Sequence, residues 1–173
     1  MFATIYVPNF YLQAALRHQP ELDGRPVALI DAQETKATII QLNEAALAAG
    51  VRCGMTPSQG LARDLKLVVK TRTREQEKML DTLLLHFACT LAPYVEATAP
   101  GVATVEFTNA KNVLRNVERV IEQLAQAEIV AQAGIALTPD ASFLAAHLAK
   151  PVLQVDDARD FLAPLPIETL AIG

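Results

Sequence analysis

The chain has 173 residues, of which 51% are hydrophobic and 20% are charged, and its formal net charge is −4. A chain of this length can bury one sound core with a small appended lobe, and no run of residues approaches the ~20 apolar residues of a membrane span. The acidic balance disfavours tight DNA binding by this chain alone, because proteins that hold DNA unaided usually carry a strongly basic face.

The N-terminus and the cysteines indicate the compartment. The opening residues, MFATIYVPNF, lack the basic segment and the cleavage site of a secretory signal. Cys53 and Cys89 form no CxxC pair, so free thiols in a reducing environment are expected. A cytoplasmic protein is therefore predicted.

The first part of the chain predicts strands joined by short, sharply bounded helices. The expected strands are 2–7, 26–30, 37–42 and 66–70. Asn9 can cap a helix after the first strand, and Asn43 can cap another that ends at Gly50. The run Thr56-Pro57-Ser58-Gln59 has the pattern of a capping box with proline at the first helical position.

The second part predicts longer helices that alternate with strands. The expected helices are 73–91, 111–127, 138–149 and 157–162, and the expected strands are 94–98, 102–107, 129–137 and 152–155. Pro100-Gly101 marks the turn of a hairpin between two of these strands. Thr138 and Pro139 provide the N-cap and first helical residue of the third helix.

The order of the main elements predicts a mixed α/β (α+β) fold. It is β-α-β-β-α-β, a ferredoxin-like plan, with a small α/β lobe inserted after the first strand. Residues 1–10 and 72–163 are assigned to the ferredoxin-like domain and residues 11–71 to the insertion.

In this plan the first strand and the hairpin turn converge at one end of the sheet. Two-metal phosphoryl transfer would need carboxylates on both segments, since the ions lie ~3.5–4 Å apart. Residues 5–9 read IYVPN and residues 99–103 read APGVA, without one Asp or Glu. No catalytic residue and no metal ligand is therefore expected there.

Other acids and histidines give no clear site. Glu96 and Glu106 lie on the two hairpin strands and can share a face, although two solvent-facing residues on a half-buried sheet are the simpler interpretation. His18, His86 and His147 are expected on the surfaces of three different helices, without the spacing of zinc ligands.

A short basic stretch is the one candidate for DNA contact. Lys66, Lys70, Arg72 and Arg74 lie close together in sequence, and such a stripe can meet phosphates. A solvated strand end followed by a helix start explains the same residues equally well.

Several stretches, in order, resemble the palm and fingers of Y-family translesion DNA polymerases. They are IYVPNFYLQAAL, GRPVALI, NEAALAAGVRCGMTPSQGLA, LKLVV, LAPYVEATAPGVATVEFT, GIALTPDASFLAAHLAKP and LAPLPIETLAIG. The resemblance covers nearly the whole chain, and the co-linear set is far more specific than any one motif. It implies a polymerase-type palm in residues 1–10 and 72–163, a fingers-like insertion in residues 11–71, and the start of a truncated thumb-like segment in residues 164–173.

The resemblance assigns family positions to residues of this chain. The family's first metal-binding aspartate falls on Tyr6, the second on Pro8, and its adjacent Asp-Glu pair on Gly101 and Val102. All the metal-binding carboxylate positions are therefore substituted.

The resemblance also assigns nucleotide contacts. Tyr11 matches the aromatic residue that screens the sugar 2′-position, and Lys150 matches a retained lysine. The Tyr and Arg that hold the incoming triphosphate in the family fall on Glu44 and Leu47. Glu44 would repel a polyphosphate, and Leu47 offers it no hydrogen-bond donor or positive charge.

This combination resembles the catalytically inactive, ImuB-like branch of the family. The resemblance implies a non-enzymatic scaffold in bacterial DNA repair and in damage-induced (SOS) mutagenesis, acting in the cytoplasm at the nucleoid. It implies no cofactor and only weak, assisted DNA contact. The implied partners are an error-prone replicative-type polymerase, a RecA-like protein and the sliding clamp, mostly through segments beyond residue 173.

Two other functions stay open. One is an active error-prone translesion polymerase that uses the displaced acids Glu96 and Glu106 with Mg²⁺. The other is a ferredoxin-like regulatory module that binds a small molecule at its sheet edge.

Overall fold

A computed structural model describes residues 1–31, 37–109 and 111–171. The last two residues of the expected thumb-like segment lie outside this part. The chain divides into two compact units, Met1–Pro8 with Asp81–Gly173, and Asn9–Leu80. This division falls within a helix, whereas the predicted boundary lies at residues 71 and 72. None of the helices in the described part is both long and apolar enough to cross a membrane.

All the predicted strands and helices are observed, with ends that differ by three residues at most. In chain order they are β1 (Phe2–Tyr6), α1 (Phe10–Leu16), β2 (Val27–Ile30), β3 (Ile39–Leu42), α2 (Glu44–Ala48), α3 (Pro57–Arg63), β4 (Val68–Thr71), α4 (Arg74–Cys89), β5 (Tyr94–Ala99), β6 (Val102–Glu106), α5 (Val113–Gln126), β7 (Gln132–Ala136), α6 (Pro139–Leu148), β8 (Val152–Gln154) and α7 (Ala158–Leu162). Short 3-10 helices occur at Pro20–Leu22 and Ile167–Ala171.

The first unit contains a five-stranded sheet in the order β5-β6-β1-β7-β8. β1 lies between β6 and β7 and is antiparallel to both, while β7 and β8 run parallel and are joined through α6. Apart from the added β8, this is the strand order of the ferredoxin-like plan. The predicted fold class is confirmed.

Helix α6 lies directly on β1 and β7. Thr4 and Ser142 are both fully buried, and their hydroxyl oxygens are 2.8 Å apart. A Cβ atom on Gly134, which pairs with Thr4, would come within 2.2 Å of the Ala146 nitrogen and of the Ser142 carbonyl oxygen. The residue at 134 must therefore be glycine for helix and strand to approach this closely.

The second unit contains a three-stranded sheet in the order β3-β2-β4. β2 is antiparallel to β3 and parallel to β4. Side chains alternate along β2, so Val27 and Leu29 pack with Leu12 of α1, whereas Ala28 packs with Ala46 of α2 in a separate cluster. The sheet is thus covered by apolar side chains on both faces.

Helix caps decide where several short helices begin. The Asn43 side chain accepts the Ala46 N–H at 3.0 Å, and both bonds of the Thr56–Gln59 capping box are present, as predicted. The prediction for Asn9 is wrong, because its side chain makes no capping hydrogen bond. Asn9 instead adopts a left-handed conformation with φ 48°, which asparagine tolerates better than most residues.

The capping box gives the first testable prediction. Thr56→Ala removes the hydroxyl that accepts the Gln59 N–H, and we expect a loss of about 1 kcal/mol in unfolding free energy. Urea denaturation would measure it. Ser58→Ala is the matched control, since Ser58 is exposed one position into the same helix. Equal losses in both variants would contradict the assignment.

Candidate active-site region

The end of β1 is where the sequence predicts a convergence, and the strands meet there. Tyr6 pairs with Val102 on β6 and with Gln132 on β7. The Val7 N–H donates to the Gly101 carbonyl oxygen at 2.9 Å. Pro8 follows directly, so all four positions assigned to metal-binding carboxylates lie at one end of this sheet.

An aromatic cluster occupies this end. The Tyr6 and His147 rings stack with centroids 3.9 Å apart. The His147 ring also contacts the Phe143 ring, with centroids 4.4 Å apart. His147 Nδ1 is 2.9 Å from the Phe143 carbonyl oxygen. Burial raises the pKa of the Tyr6 phenol, so its neutral form is favoured. This surface presents rings where a metal site would present carboxylates.

One carboxylate does reach the hairpin turn. Asp81 Oδ1 accepts the Gly101 N–H at 2.9 Å. The bond satisfies a backbone donor of the turn and fixes the hairpin against α4. Nothing in the sequence pattern indicates Asp81 as a partner of the turn, because Gly101 lies 20 residues further along the chain.

These residues do not fit a pair of divalent ions. Tyr6, Pro8, Gly101 and Val102 offer no carboxylate, whereas Mg²⁺ is usually held by carboxylates together with substrate phosphates. Within residues 1–31, 37–109 and 111–171, no three His, Cys, Asp or Glu residues are grouped so that they could hold a metal. We therefore derive no chemical step through bound metals at this end.

The displaced acids lie elsewhere on the same sheet. Glu106 pairs with Phe2 and with Tyr94, and Glu96 pairs with Thr104, so the two glutamates share a face as the alternation allows. Both are exposed. Glu106 is four residues along β6 from Val102, which is roughly 13 Å at the rise of a strand. Glu106 therefore does not converge with Tyr6.

In the second unit, Tyr11 and Arg72 form one cluster. The Arg72 guanidinium carbon lies 3.9 Å from the centre of the Tyr11 ring. Arg72 also donates to both carboxylate oxygens of Glu77 at 2.7 Å and to Asp31 at 3.2 Å. Its pKa is raised, chiefly by the hydrogen bond to Glu77. Arg72, a predicted DNA contact, is thus held by two carboxylates.

The other predicted contacts are dispersed over surfaces. Glu44 and Leu47 are exposed on α2, and Lys150 is exposed after α6. Lys66 and Arg74 are also exposed, whereas Lys70 is half-buried on β4. The structure brings Tyr11 together with Arg72, a pairing that sequence spacing did not indicate.

Two of the histidine predictions are wrong. His18 lies beyond the end of α1, in a left-handed conformation with φ 64°, and not on a helix. His147 is half-buried in the ring stack and not on a helix surface. A helix that connects two parallel strands must pack on the sheet, and this rule could have placed His147 near β1. His86 is exposed on α4, as expected.

The fold is that of the palm and fingers of solved DNA polymerases. A structure described as the post-insertion binary complex of Dbh DNA polymerase superimposes with a TM-score of 0.86 at 17% identity, over 97% of this chain and 52% of that chain. DinB from Sulfolobus solfataricus gives a TM-score of 0.82 at 17% identity, over 97% and 52%. At this identity the likeness shows the fold.

Sequence comparison shows the family. Residues 5–147 match the impB/mucB/samB family, and the chain belongs to this family, the UmuC/DinB type of Y-family polymerases. DNA polymerase IV of Pseudomonas syringae pv. tomato is 28% identical over 173 residues, covering 93% of this chain and 48% of that protein. DNA polymerase IV of Pseudomonas savastanoi pv. phaseolicola is 26% identical over 175 residues, with the same coverage. The chain spans about half the length of these curated relatives.

These relatives correct one prediction. The chain was expected to belong to a non-enzymatic protein because four carboxylate positions are substituted. The relatives that it matches over 93% of its length are named DNA polymerase IV, which indicates an enzyme. The expectation that the protein is not an enzyme is therefore wrong.

Proposed function

We propose that the full-length protein is a translesion DNA polymerase of the Y family, in which this chain forms the palm and fingers. The match of residues 5–147 to the family is the observation that carries this proposal. The superposition of 97% of the chain on a solved DNA polymerase supports it. The error-prone synthesis past DNA damage belongs to the whole protein, of which this chain is a part.

The charge distribution favours DNA contact through the second unit. Residues 9–80 contain 10 basic and 8 acidic residues, whereas the rest of the chain contains 5 basic and 11 acidic residues. Lys66, Lys70, Arg72 and Arg74 are the candidates, and among them Arg72 is held by Glu77 and Asp31. Few phosphates would be neutralised, so contact by this chain is weak and falls with salt. The rest of the protein must assist it.

The proposal assigns nucleotide contacts to Tyr11 and Lys150. Tyr11 keeps an aromatic ring at the sugar-screening position, and Lys150 remains an exposed cation. Glu44 and Leu47 supply neither the donor nor the cation expected for a triphosphate. Because the β1 end does not fit two divalent ions, the carboxylates for catalysis must come from other residues of the protein.

Primer extension by the full-length protein is the second prediction. With Mg²⁺ or Mn²⁺ we expect nucleotides to be added opposite an undamaged template and opposite an abasic site, and EDTA to abolish the addition. Gel analysis of a labelled primer would measure it. DNA binding without any incorporation would contradict the proposal.

Two variants accompany that measurement. We expect Glu106→Gln and Glu96→Gln to extend the primer within about twofold of the parent, because neither acid lies at the β1 end. A tenfold loss would instead assign these glutamates to the metals, as the displaced-acid alternative requires.

The cellular setting is part of the same proposal. We place the protein in the bacterial cytoplasm and, when active, at the nucleoid during the response to DNA damage. Its further partners would be an error-prone replicative-type polymerase, a RecA-like protein and the sliding clamp. Segments beyond residue 173 would make most of those contacts.

A further inference from the structure

All three nitrogens of the Arg72 guanidinium lie within hydrogen-bonding distance of a carboxylate oxygen. Nε and Nη2 of the guanidinium each lie 2.7 Å from a Glu77 oxygen, and Nη1 lies 3.2 Å from Asp31 Oδ2. The face of the group covers Tyr11 at 3.9 Å. With two carboxylates around one cation the cluster is net negative, so it is poorly suited to bind phosphate.

The same contacts fix the direction of the Tyr11 ring. The Arg72 backbone N–H donates to the Ile30 carbonyl oxygen at 3.0 Å, which ties Arg72 to the end of β2. Glu77 lies in the first turn of α4. Tyr11 is tied from the other side, because the next residue, Leu12, donates its N–H to Gln41 Oε1 at 2.8 Å. Arg72 thus joins three separately anchored elements at one ring.

The chemistry of the contact requires arginine. A guanidinium is planar, so it can lie flat on a ring and still present a two-pronged edge to a carboxylate. Lysine keeps the charge, but its ammonium is a point donor on a flexible stem. It does not hold the Tyr11 ring and the Glu77 carboxylate at the same time. Stacking of a cation on an aromatic face is itself attractive.

We propose that Arg72 is a positioning residue for Tyr11. Its contacts with Tyr11, Glu77 and Asp31, called the Arg72 clamp below, would set how strictly the protein separates deoxyribonucleotides from ribonucleotides. The second half rests on the proposed polymerase function, in which Tyr11 borders the sugar. The first half concerns the ring alone and holds independently of catalysis. Arg72 touches neither DNA nor nucleotide in this proposal.

The clamp itself is tested by NMR of the full-length protein with ¹³C-labelled tyrosine rings. Tyr11→Phe identifies the Tyr11 resonance by its disappearance from the spectrum. We expect Arg72→Ala and Arg72→Lys to shift and broaden this resonance, and Glu77→Gln to do so more weakly. Lys66→Ala, an exposed cation of the same basic stretch, is the control and should leave it unchanged. An unchanged Tyr11 resonance in Arg72→Ala would overturn the proposal.

Sugar selection is tested by single-nucleotide incorporation. We expect Arg72→Ala to lower the ratio of kcat/KM for a deoxyribonucleotide over its ribonucleotide by about tenfold, while kcat/KM for the deoxyribonucleotide falls by less than about threefold. Arg72→Lys should not restore the ratio. An equal fall for both substrates would indicate a merely structural role and overturn this half. If the parent incorporates nothing, the polymerase proposal and sugar selection fail together, and the NMR result alone decides the clamp.

Discussion

Gly134→Ala is expected to destabilise the first unit by about 3 kcal/mol or more, although it adds only one methyl group. The added Cβ would lie 2.2 Å from the Ser142 oxygen and the Ala146 nitrogen, and 2.7 Å from the Ala145 carbonyl carbon. These are backbone atoms of α6, which no rotamer change can move away. Relief requires α6 to lift from β7, and that would separate Ser142 from Thr4.

Hydrogen exchange measured by mass spectrometry would test this result region by region. A loss of 3 kcal/mol corresponds to roughly 100-fold faster exchange where opening involves the unit as a whole, and we expect it in β1 and β7. Peptides of β2 and β3, in the other unit, should be unaffected.

Gly54→Ala is the matched control for that substitution. Gly54 has φ +84° and open space around its missing Cβ, so alanine there meets backbone strain of only about 1–2 kcal/mol. Gly134 has the opposite character, because crowding and not a positive φ excludes a side chain. Similar losses in the two variants would show that the approach of α6 is looser than 2.2 Å implies.

Local sequence patterns determined most of this fold. The sequence predicts an apolar face of α5 that contains Val113, Leu114, Val117, Val120, Ile121 and Leu124. Leu114 is exposed and lies outside the buried stripe, which the other five residues form. The caps at Asn43 and Thr56 could also be predicted from the sequence, because a cap joins residues only three positions apart. Helix and strand ends shifted by up to three residues, since the ends depend on packing as well as on propensity.

Contacts between distant residues could not be predicted in the same way. Asp81 meets Gly101, His147 meets Tyr6, and Arg72 meets Tyr11 across the chain. Each pair depends on how a helix packs against a sheet, and neither hydrophobic periodicity nor residue spacing predicts that packing. Arg72 shows the consequence, because a residue grouped with surface cations proved to be held by two acids.

The prediction about activity failed for a related reason. Tyr6, Pro8, Gly101 and Val102 do meet, so the substitution of four carboxylate positions describes a real sheet end. The absence of carboxylates at four positions does not establish that the protein lacks enzymatic activity. This chain spans about half the length of its polymerase relatives, so these four positions do not determine which acids the rest of the protein supplies.

Leu124→Ala is expected to cost about 3 kcal/mol, within the usual range of ~2–5 kcal/mol for a fully buried leucine. Leu124 is 0% exposed in the last part of the α5 stripe. Its carbonyl oxygen also accepts the N–H groups of Ala127 and Ile129, where the chain leaves the helix for β7. Truncation leaves a cavity beside this connection, which the fixed backbone cannot readily collapse to fill.

Differential scanning calorimetry would measure the change, as a fall of roughly 12–24 °C in the transition of the first unit, which has about 100 residues. Leu114→Ala is the control on the same helix, because Leu114 is 39% exposed and outside the stripe, and it should change that transition by only about 2–4 °C. The two variants remove the same atoms and have equal helix propensity, so their difference isolates burial. If both transitions fall equally, α5 does not pack through this stripe, and the support that it gives to the sheet beneath Tyr6 must come from elsewhere.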